Sequence, residues 1–249
     1  MKQFRSIVIT GASSGIGEAL ALDYAAPGVA LAITGRDAAR LEAVATQLRA
    51  RGATVEAGLI DAADREAVAA WLHRVDDAHP VDLLIANAGI SIDQNRSSLD
   101  DFSVIRRTLD VNVGGVLNTV EPLVGRMVAR RNGQIAIVSS LASFIGLPYS
   151  GSYNASKAAV RVWGESIRYA LKPDNVGVTV VCPGFVVSRM TAKAPFPMPF
   201  LMTSAKASVI IRSGLARNKA RIAFPFPTRA AIWLGAALPA SWTFRLLAR

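Results

Sequence analysis

The strongest constraint on the fold of this 249-residue chain is a recurrence of short, Val- and Ile-rich apolar runs separated by longer stretches of helical pattern. The runs fall at Ser6 to Thr10, Val29 to Thr34, Thr54 to Ile60, Val81 to Asn87, Gln134 to Ser140 and Val176 to Pro183. Near-continuous apolarity, as in Ile7-Val8-Ile9 or Leu83-Leu84-Ile85-Ala86, suits strands buried on both faces, and a helix between consecutive strands is the crossover that a parallel pair needs. The pattern predicts an α/β fold: a Rossmann-like, doubly wound parallel sheet of about seven strands with helices on both faces, Arg221 to Pro225 supplying a short seventh strand. Ligands of such sheets sit at the carboxyl ends of the strands, so chemistry is expected in the residues that follow each run.

One α/β domain accounts for the whole length, since no repeat or low-complexity linker divides it. Within it, residues 4–188 read as the core, 189–225 as a substrate loop with helices and the last strand, and 226–249 as an apolar, basic extension. The single cysteine, Cys182, excludes an internal disulfide and a cysteine-based zinc site; it reads as a small buried residue, and a reducing, cytoplasmic setting is expected with no metal. The apolar run after Met1-Lys2-Gln3-Phe4-Arg5 is too short for a signal peptide, and no stretch approaches the ~20 apolar residues of a membrane span. The net charge is +10, but ten Lys or Arg and no Asp or Glu lie between Arg189 and Arg249, so the excess belongs to the tail. Neither a nucleic-acid module nor aromatics interleaved with charge accompany it, and nucleic-acid binding is not expected.

The first run leads into Thr10-Gly11-Ala12-Ser13-Ser14-Gly15-Ile16-Gly17 and then a helix-forming stretch. A strand, a glycine turn and a helix N-terminus present backbone N–H groups and a positive dipole end to a pyrophosphate. The same loop fits the Gly-x-Ser-x-Gly elbow of hydrolases, with Ser13 as nucleophile, but that chemistry needs a late histidine, and His73 and His79 both precede the fourth strand. The second strand ends Thr34-Gly35-Arg36. An acidic residue there would bond the ribose 2′-hydroxyl, whereas an arginine pairs with a 2′-phosphate, so NADP(H) is favoured over NAD(H).

Ser152-Tyr153-Asn154-Ala155-Ser156-Lys157 opens a helical stretch, which places Tyr153 and Lys157 on one face. An ammonium nearby favours the phenolate, so the lysine is expected to tune Tyr153 as an acid/base group. With the Thr-Gly-x-x-x-Gly-x-Gly loop at 10–17, Asn87-Ala88-Gly89 closing the fourth strand, Asn112 in a helix, Ser140 ahead of Tyr153-x-x-x-Lys157, and Pro183-Gly184 after the sixth strand, the chain resembles the short-chain dehydrogenase/reductase family, classical type, over residues 4–188. The resemblance implies hydride transfer between a nicotinamide and the carbon of a carbonyl or secondary alcohol; a small apolar substrate is expected from the apolar residues between 196 and 202. It implies that Ser140 bonds the substrate oxygen, that Lys157 also holds the nicotinamide ribose, and that Asn112 positions a water. Gly11, Ser13, Ser14, Gly15, Ile16, Gly17, Arg36, Asp61, Asn87, Ala88, Gly89, Pro183, Gly184, Val186 and Ser188 would line the cofactor, with Asp61 at the adenine and Ser188 replacing a threonine common in the family. Ser139 competes with Ser140, since both are expected to end the fifth strand and point to opposite faces; the family spacing selects Ser140. Alternatives are NAD(H) preference, or a cofactor-binding redox sensor or scaffold with little turnover, against which the intact Ser140, Tyr153 and Lys157 argue.

Beyond residue 188 the pattern departs from the family. Phe196, Met198, Phe200, Leu201 and Met202 suit an apolar lid or ordinary loop packing. The tail, with Trp233, Trp242 and arginines, suits a lid, a subunit interface of a homodimer or homotetramer, or a peripheral membrane contact.

Overall fold

A computed structural model describes residues 2–91, 101–148, 150–192 and 197–247; Phe196, one of the expected lid residues, lies outside them. Seven strands, β1 (Ser6–Ile9), β2 (Ala30–Gly35), β3 (Thr54–Leu59), β4 (Leu83–Ala86), β5 (Gly133–Val138), β6 (Val176–Pro183) and β7 (Arg221–Phe224), form one sheet in the order β3-β2-β1-β4-β5-β6-β7. Every neighbouring pair is parallel. The chain starts near the middle, winds outward to β3, then returns to lay β4 on the other side of β1, with Ile7 opposite Leu83 and Ile9 opposite Ile85. That reversal opens a crevice at the carboxyl ends of β1 and β4.

The period of two along β1 explains its unbroken apolarity. Ile7 and Ile9 point into one core with Leu20, Leu48 and Ile211, from helices α1 (Gly15–Tyr24), α2 (Ala38–Ala50) and α7 (Ser204–Ala216). Val8 points the other way, to Leu72, Leu123 and Val160 on α3 (Arg65–Ala78), α5 (Gly115–Arg130) and α6 (Gly151–Leu171). The third run departs from burial on both faces. Val55 and Ala57 pack on the α2 side, but Thr54 and Glu56 are exposed at the edge of the sheet, where Glu56 meets Arg74 at 3.9 Å.

Two local features differ from the sequence expectation. The helix bearing Asn112 is not continuous: α4 (Phe102–Leu109) passes through a π turn at Asp110–Gly114 into α5, a widening often found at functional sites. The fifth strand stops at Val138, short of both serines, and a 3₁₀ turn follows at Leu141–Phe144. The tail forms α8 (Phe226–Ala237) and α9 (Ala240–Leu247) with Leu238-Pro239 between them. No described helix is long and apolar enough to cross a membrane.

Opposite the crevice, Asp76 ties three elements together. Its side chain is only 2% exposed; it accepts the Val81 N–H at 2.9 Å ahead of β4 and pairs with Arg130 at 2.7 Å and Arg126 at 3.2 Å, both on α5. Burial pushes its carboxyl upward, but the hydrogen bonds from Arg130, the Val81 N–H and Arg126 outweigh burial and hold it below the usual range. Arg126 and Arg130 are themselves 37% and 28% exposed and stay solvated without their partner, so Asp76→Ala chiefly strands the buried Val81 N–H and is expected to lose about 1–3 kcal/mol in chemical denaturation at pH 7; a loss under about 0.5 kcal/mol would contradict the assignment. Because the folded value is depressed, this contribution is complete above about pH 4 and disappears as the pH falls through the folded value.

Candidate active site

The crevice is closed at its base by hydrogen bonds between the ends of β1 and β4. Thr10 Oγ1 accepts the N–H groups of Asn87 and Ala88 at 3.1 and 3.2 Å, and Asn87 Nδ2 donates to the carbonyls of Thr10 and Gly11 at 2.9 and 3.1 Å. Gly11 turns the chain at φ +68°, and a Cβ there would stand 2.8 Å from Ala88 Cα. A Cβ on Gly17 would stand 2.5 Å from the Gly11 carbonyl oxygen and 2.6 Å from Asn87 Nδ2. Both positions therefore exclude every other residue. Ser14 precedes α1 in extended conformation and caps none of its N–H groups with its side chain. The first-turn donors around Gly15 and Ile16 are thus left for a ligand, and the glycine-lined approach fits the pyrophosphate of a dinucleotide.

On one side of this loop, Ser13 packs against Gly35, whose Cβ would lie 3.0 Å from Ser13 Oγ. Arg36 follows directly. Its guanidinium is 54% exposed and stands 4.0 Å from Asp61. Asp61 also accepts the Ala63 N–H at 3.1 Å and pairs with Arg107 from α4. Burial raises the Asp61 carboxyl, while the Ala63 N–H, Arg107 and Arg36 outweigh it and hold it low. Arg107 carries no sequence signal, since an Arg106-Arg107 pair on a helix reads as a solvated face. On the other side, Gly15 faces Ser188, with 3.1 Å between its would-be Cβ and that of the serine. A cavity of about 370 Å³ opens beside the loop, lined among others by Ser13, Ser14, Gly15, Arg40, Ser188 and Arg189.

The segment after β6 forms the far wall. The Gly184 N–H donates to the Phe224 carbonyl at 2.7 Å, and Val186 bridges to Met202 in parallel fashion. The Ser188 N–H donates to Thr191 Oγ1 at 2.9 Å, and that hydroxyl lies 3.0 Å from the Val186 carbonyl. Thr191 was not legible in the sequence, since no motif spacing marks it. Of the expected lid residues, Met202 packs on the core, Met198 is half-buried, and Phe200 and Leu201 are exposed.

Ser140 and Ser139 part as the chain leaves β5. The Ser139 hydroxyl donates to the Lys157 carbonyl at 2.7 Å, whereas Ser140 Oγ accepts the Ala142 N–H at 3.1 Å, lies 3.5 Å from the Pro183 carbonyl and is near enough to the Tyr153 phenol to favour its ionised form. Lys157 is buried; its Nζ donates to the Val138 carbonyl at 3.0 Å and lies 5.9 Å from the centre of the Tyr153 ring. A Cβ on Gly89 would crowd Lys157 Nζ at 3.1 Å and Asn112 Oδ1 at 3.2 Å, so the glycine makes room for both. Asn112 Oδ1 accepts the Ile90 N–H at 2.8 Å, and its Nδ2 donates to the Ile90 carbonyl and to Ser156 Oγ at 2.9 and 3.0 Å. Ser156 in turn donates to the Tyr153 carbonyl at 2.7 Å. Asn112 is thereby a buried strut between the end of β4 and α6.

The electrostatics correct one expectation. Burial lowers Lys157 to about 8. Burial also raises Tyr153 above the ordinary phenol value, and the nearby Ser140 only partly offsets it. With its Nζ directed at the Val138 carbonyl, 5.9 Å from the centre of the Tyr153 ring, the lysine does not outweigh the burial that raises the phenol in the unliganded site. The resting pair at neutral pH is a phenol beside an ammonium. Cys182 is a buried thiol pushed up to about 12 by burial. His79 follows α3, and its carbonyl accepts from Ser6 at the amino-terminal edge of β1, the opposite side of the sheet from Ser13. The hydrolase reading therefore has no base from His79.

Comparison with known proteins places this geometry. A family model described as short chain dehydrogenase matches residues 5–196. An uncharacterized oxidoreductase of Myxococcus xanthus is 38% identical over 233 residues, covering 92% of each chain. The 11-beta-hydroxysteroid dehydrogenase A of Sesamum indicum is 31% identical, covering 97% of this chain and 74% of its own. Among solved structures, a short-chain dehydrogenase from Sphingobium yanoikuyae in complex with NADPH superposes with a TM-score of 0.83 at 26% identity over 93% of each chain. A 3-oxoacyl-[acyl-carrier protein] reductase from Brucella melitensis with bound NAD gives 0.77 at 25% identity over 88% of this chain and 89% of its own. Since the matched stretch takes in every wall of the crevice, from Thr10 to Ser188, the chain belongs to the short-chain dehydrogenase family of NAD(P)-dependent oxidoreductases.

Proposed function

We propose that the protein is an NADP(H)-dependent reductase of a small apolar carbonyl compound, or dehydrogenase of the matching secondary alcohol, with Tyr153 as its acid/base group. The observation that carries this reading is the proximity of Ser140, Tyr153 and the buried Lys157 at the crevice where β1 and β4 part, with Lys157 Nζ held on the Val138 carbonyl 5.9 Å from the centre of the Tyr153 ring. The bound cofactor supplies or accepts the hydride. In reduction, Ser140 donates a hydrogen bond to the substrate oxygen and Tyr153 delivers its phenol proton to that oxygen; in oxidation, the Tyr153 phenolate takes the proton back. The Lys157 ammonium steadies the phenolate left by the first transfer. The Asn112 and Ser156 strut keeps α6, and with it the tyrosine and lysine, registered against the end of β4.

Arg36 supports the choice of NADP(H). Arg107 pairs closely with Asp61, so the half-exposed Arg36 guanidinium is available to a 2′-phosphate; positions 34–36 hold no carboxylate to bond a 2′-hydroxyl, and the next one, Asp37, is engaged by the Arg40 N–H at 3.0 Å and the Arg40 guanidinium at 2.9 Å. The solved relatives carry NADPH in one case and NAD in another, so the choice rests on Arg36 itself. An apolar substrate fits exposed Phe200 and Leu201 beside the Val186–Met202 bridge, and the Sesamum relative is named for action on a hydroxysteroid.

Fluorescence titration should show NADPH binding at least ~10-fold tighter than NADH, with Arg36→Ala erasing most of the difference, as expected for one charge-assisted pair; equal affinities in the unaltered protein would overturn the cofactor choice. Tyr153→Phe should lower kcat by roughly 10²- to 10⁴-fold while leaving NADPH affinity within about 3-fold, and retained turnover would refute the acid/base role. Lys157 is protonated below about 8 and loses its proton above it. Carbonyl reduction should accordingly run level through neutral pH and decline above that value, whereas a profile still level at about pH 9.5 would contradict the lysine's part.

A further inference from the structure

Helix α8 carries a surface that the proposed reaction leaves unused. One side of it packs inward: Ile232 joins the cluster of Leu141, Val180 and Cys182, the Trp233 ring meets Phe144 edge-on at 6.2 Å, and Gly235 sits against Ile145. The outward stripe consists of Phe226, Pro227, Ala230, Ala231, Leu234 and Ala237, all exposed and without one polar side chain among them. Phe226 and Leu234 are each 68% exposed, and Trp242 on α9 is 58% exposed. Polar residues ordinarily cover the outer face of a helix that packs on a core from one side, and here none does.

The described charges on α8 and α9 are of one sign. The Arg229 guanidinium lies 5.0 Å from the Phe226 ring and 4.8 Å from the Trp233 ring, and Arg245 is exposed on α9. Neither has an acidic partner among the described residues, and no Asp or Glu occurs from 189 to 249. A two-fold contact with a second copy would set this patch against itself and bring arginines toward their own twins with no carboxylate in the tail to offset them. A lipid surface has no such conflict. Acyl chains take the apolar stripe, indole rings suit the headgroup boundary, and lipid phosphates meet the arginines.

We propose that α8 and α9 dock the protein on an anionic bilayer surface, with α8 lying in the plane of the membrane and its 226–230–234–237 stripe immersed. The attachment is monotopic, since neither helix is long enough to span. It is independent of the reaction proposed above, but α8 rests on the Leu141–Ile145 segment that begins beside Ser140, so a docked bilayer flanks the same side of the molecule as the substrate wall.

The test is co-sedimentation of the full chain with phosphatidylcholine vesicles and with vesicles in which about a third of the lipid is phosphatidylserine, at about 50 and 500 mM salt. At least ~10-fold more protein should pellet with the anionic vesicles at low salt, and the excess should fall at high salt. Leu234→Glu and, separately, Trp242→Ser should lower anionic-vesicle binding about 10-fold with the thermal midpoint unchanged, and Arg229→Gln should lower the preference for anionic lipid. Full-length protein that stays in the supernatant with anionic vesicles, or a folded Leu234→Glu variant that pellets like the unaltered chain, would overturn the proposal. A dimer in sedimentation that Leu234→Glu converts to monomer would assign the face to a second copy and overturn it equally.

Discussion

The hydrogen bonds that Thr10 and Asn87 exchange across the ends of β1 and β4 are the constraint on which the site is built. The sheet reverses direction between these two strands, and without a tie the crevice would be bordered by unpaired backbone. The tie also fixes the position of the glycine loop, because Gly11 and Gly17 pass within contact distance of Ala88 and Asn87 and leave no space for a side chain. The start of α1, and so the direction of its unpaired N–H groups, follows from that loop. The residues after Asn87 inherit the same placement. Gly89 lies against Lys157 Nζ and Asn112 Oδ1, and Ile90 holds the Asn112 amide through paired hydrogen bonds.

Electrostatics at the other end of the crevice act against charge on both members of the acid/base pair. Burial brings Lys157 down to about 8 and pushes the Tyr153 phenol up. The unliganded site therefore holds its proton on the tyrosine and is set for donation rather than abstraction. Holding an ammonium there costs the fold stability below about pH 8; as the pH rises from there toward the ordinary value of 10.5, only the unfolded chain still holds the proton, so stability from this group rises. That cost is the sign of a position kept for chemistry, since a neutral side chain would pack at lower cost.

Strands such as β1 and β4 were legible because both faces are covered and every residue must be apolar, which no surface element imitates. β3 was harder to read correctly, since its apolar and exposed residues alternate at the sheet edge. The glycine loop was legible because local geometry demands those residue types at those spacings, whereas the Tyr153–Lys157 pair, which any helix surface can display, was legible only through its company with that loop, Asn87-Ala88-Gly89 and Ser140. The roles of Ser139 and Ser140 were not separable by strand alternation, because the strand has already ended at Val138 and the two hydroxyls part in the turn that follows. Arg107 reaches Asp61 from 46 residues away, and Thr191 braces Ser188 within a loop of no recurrent shape; neither contact has a local pattern to announce it. The π turn at Asn112 is equally silent, since its residues have ordinary helical composition.

The central claim is that this crevice couples hydride transfer to a proton held on Tyr153. The most direct measurement uses NADPH deuterated at the transferring position of the nicotinamide and an apolar ketone, with the alcohol product read by mass spectrometry and NMR. The account predicts one deuterium at the carbinol carbon of each product molecule in the unaltered protein and next to no product from Tyr153→Phe. An alcohol formed without deuterium at that carbon, or labelled product made at the full rate by the phenylalanine variant, would contradict it.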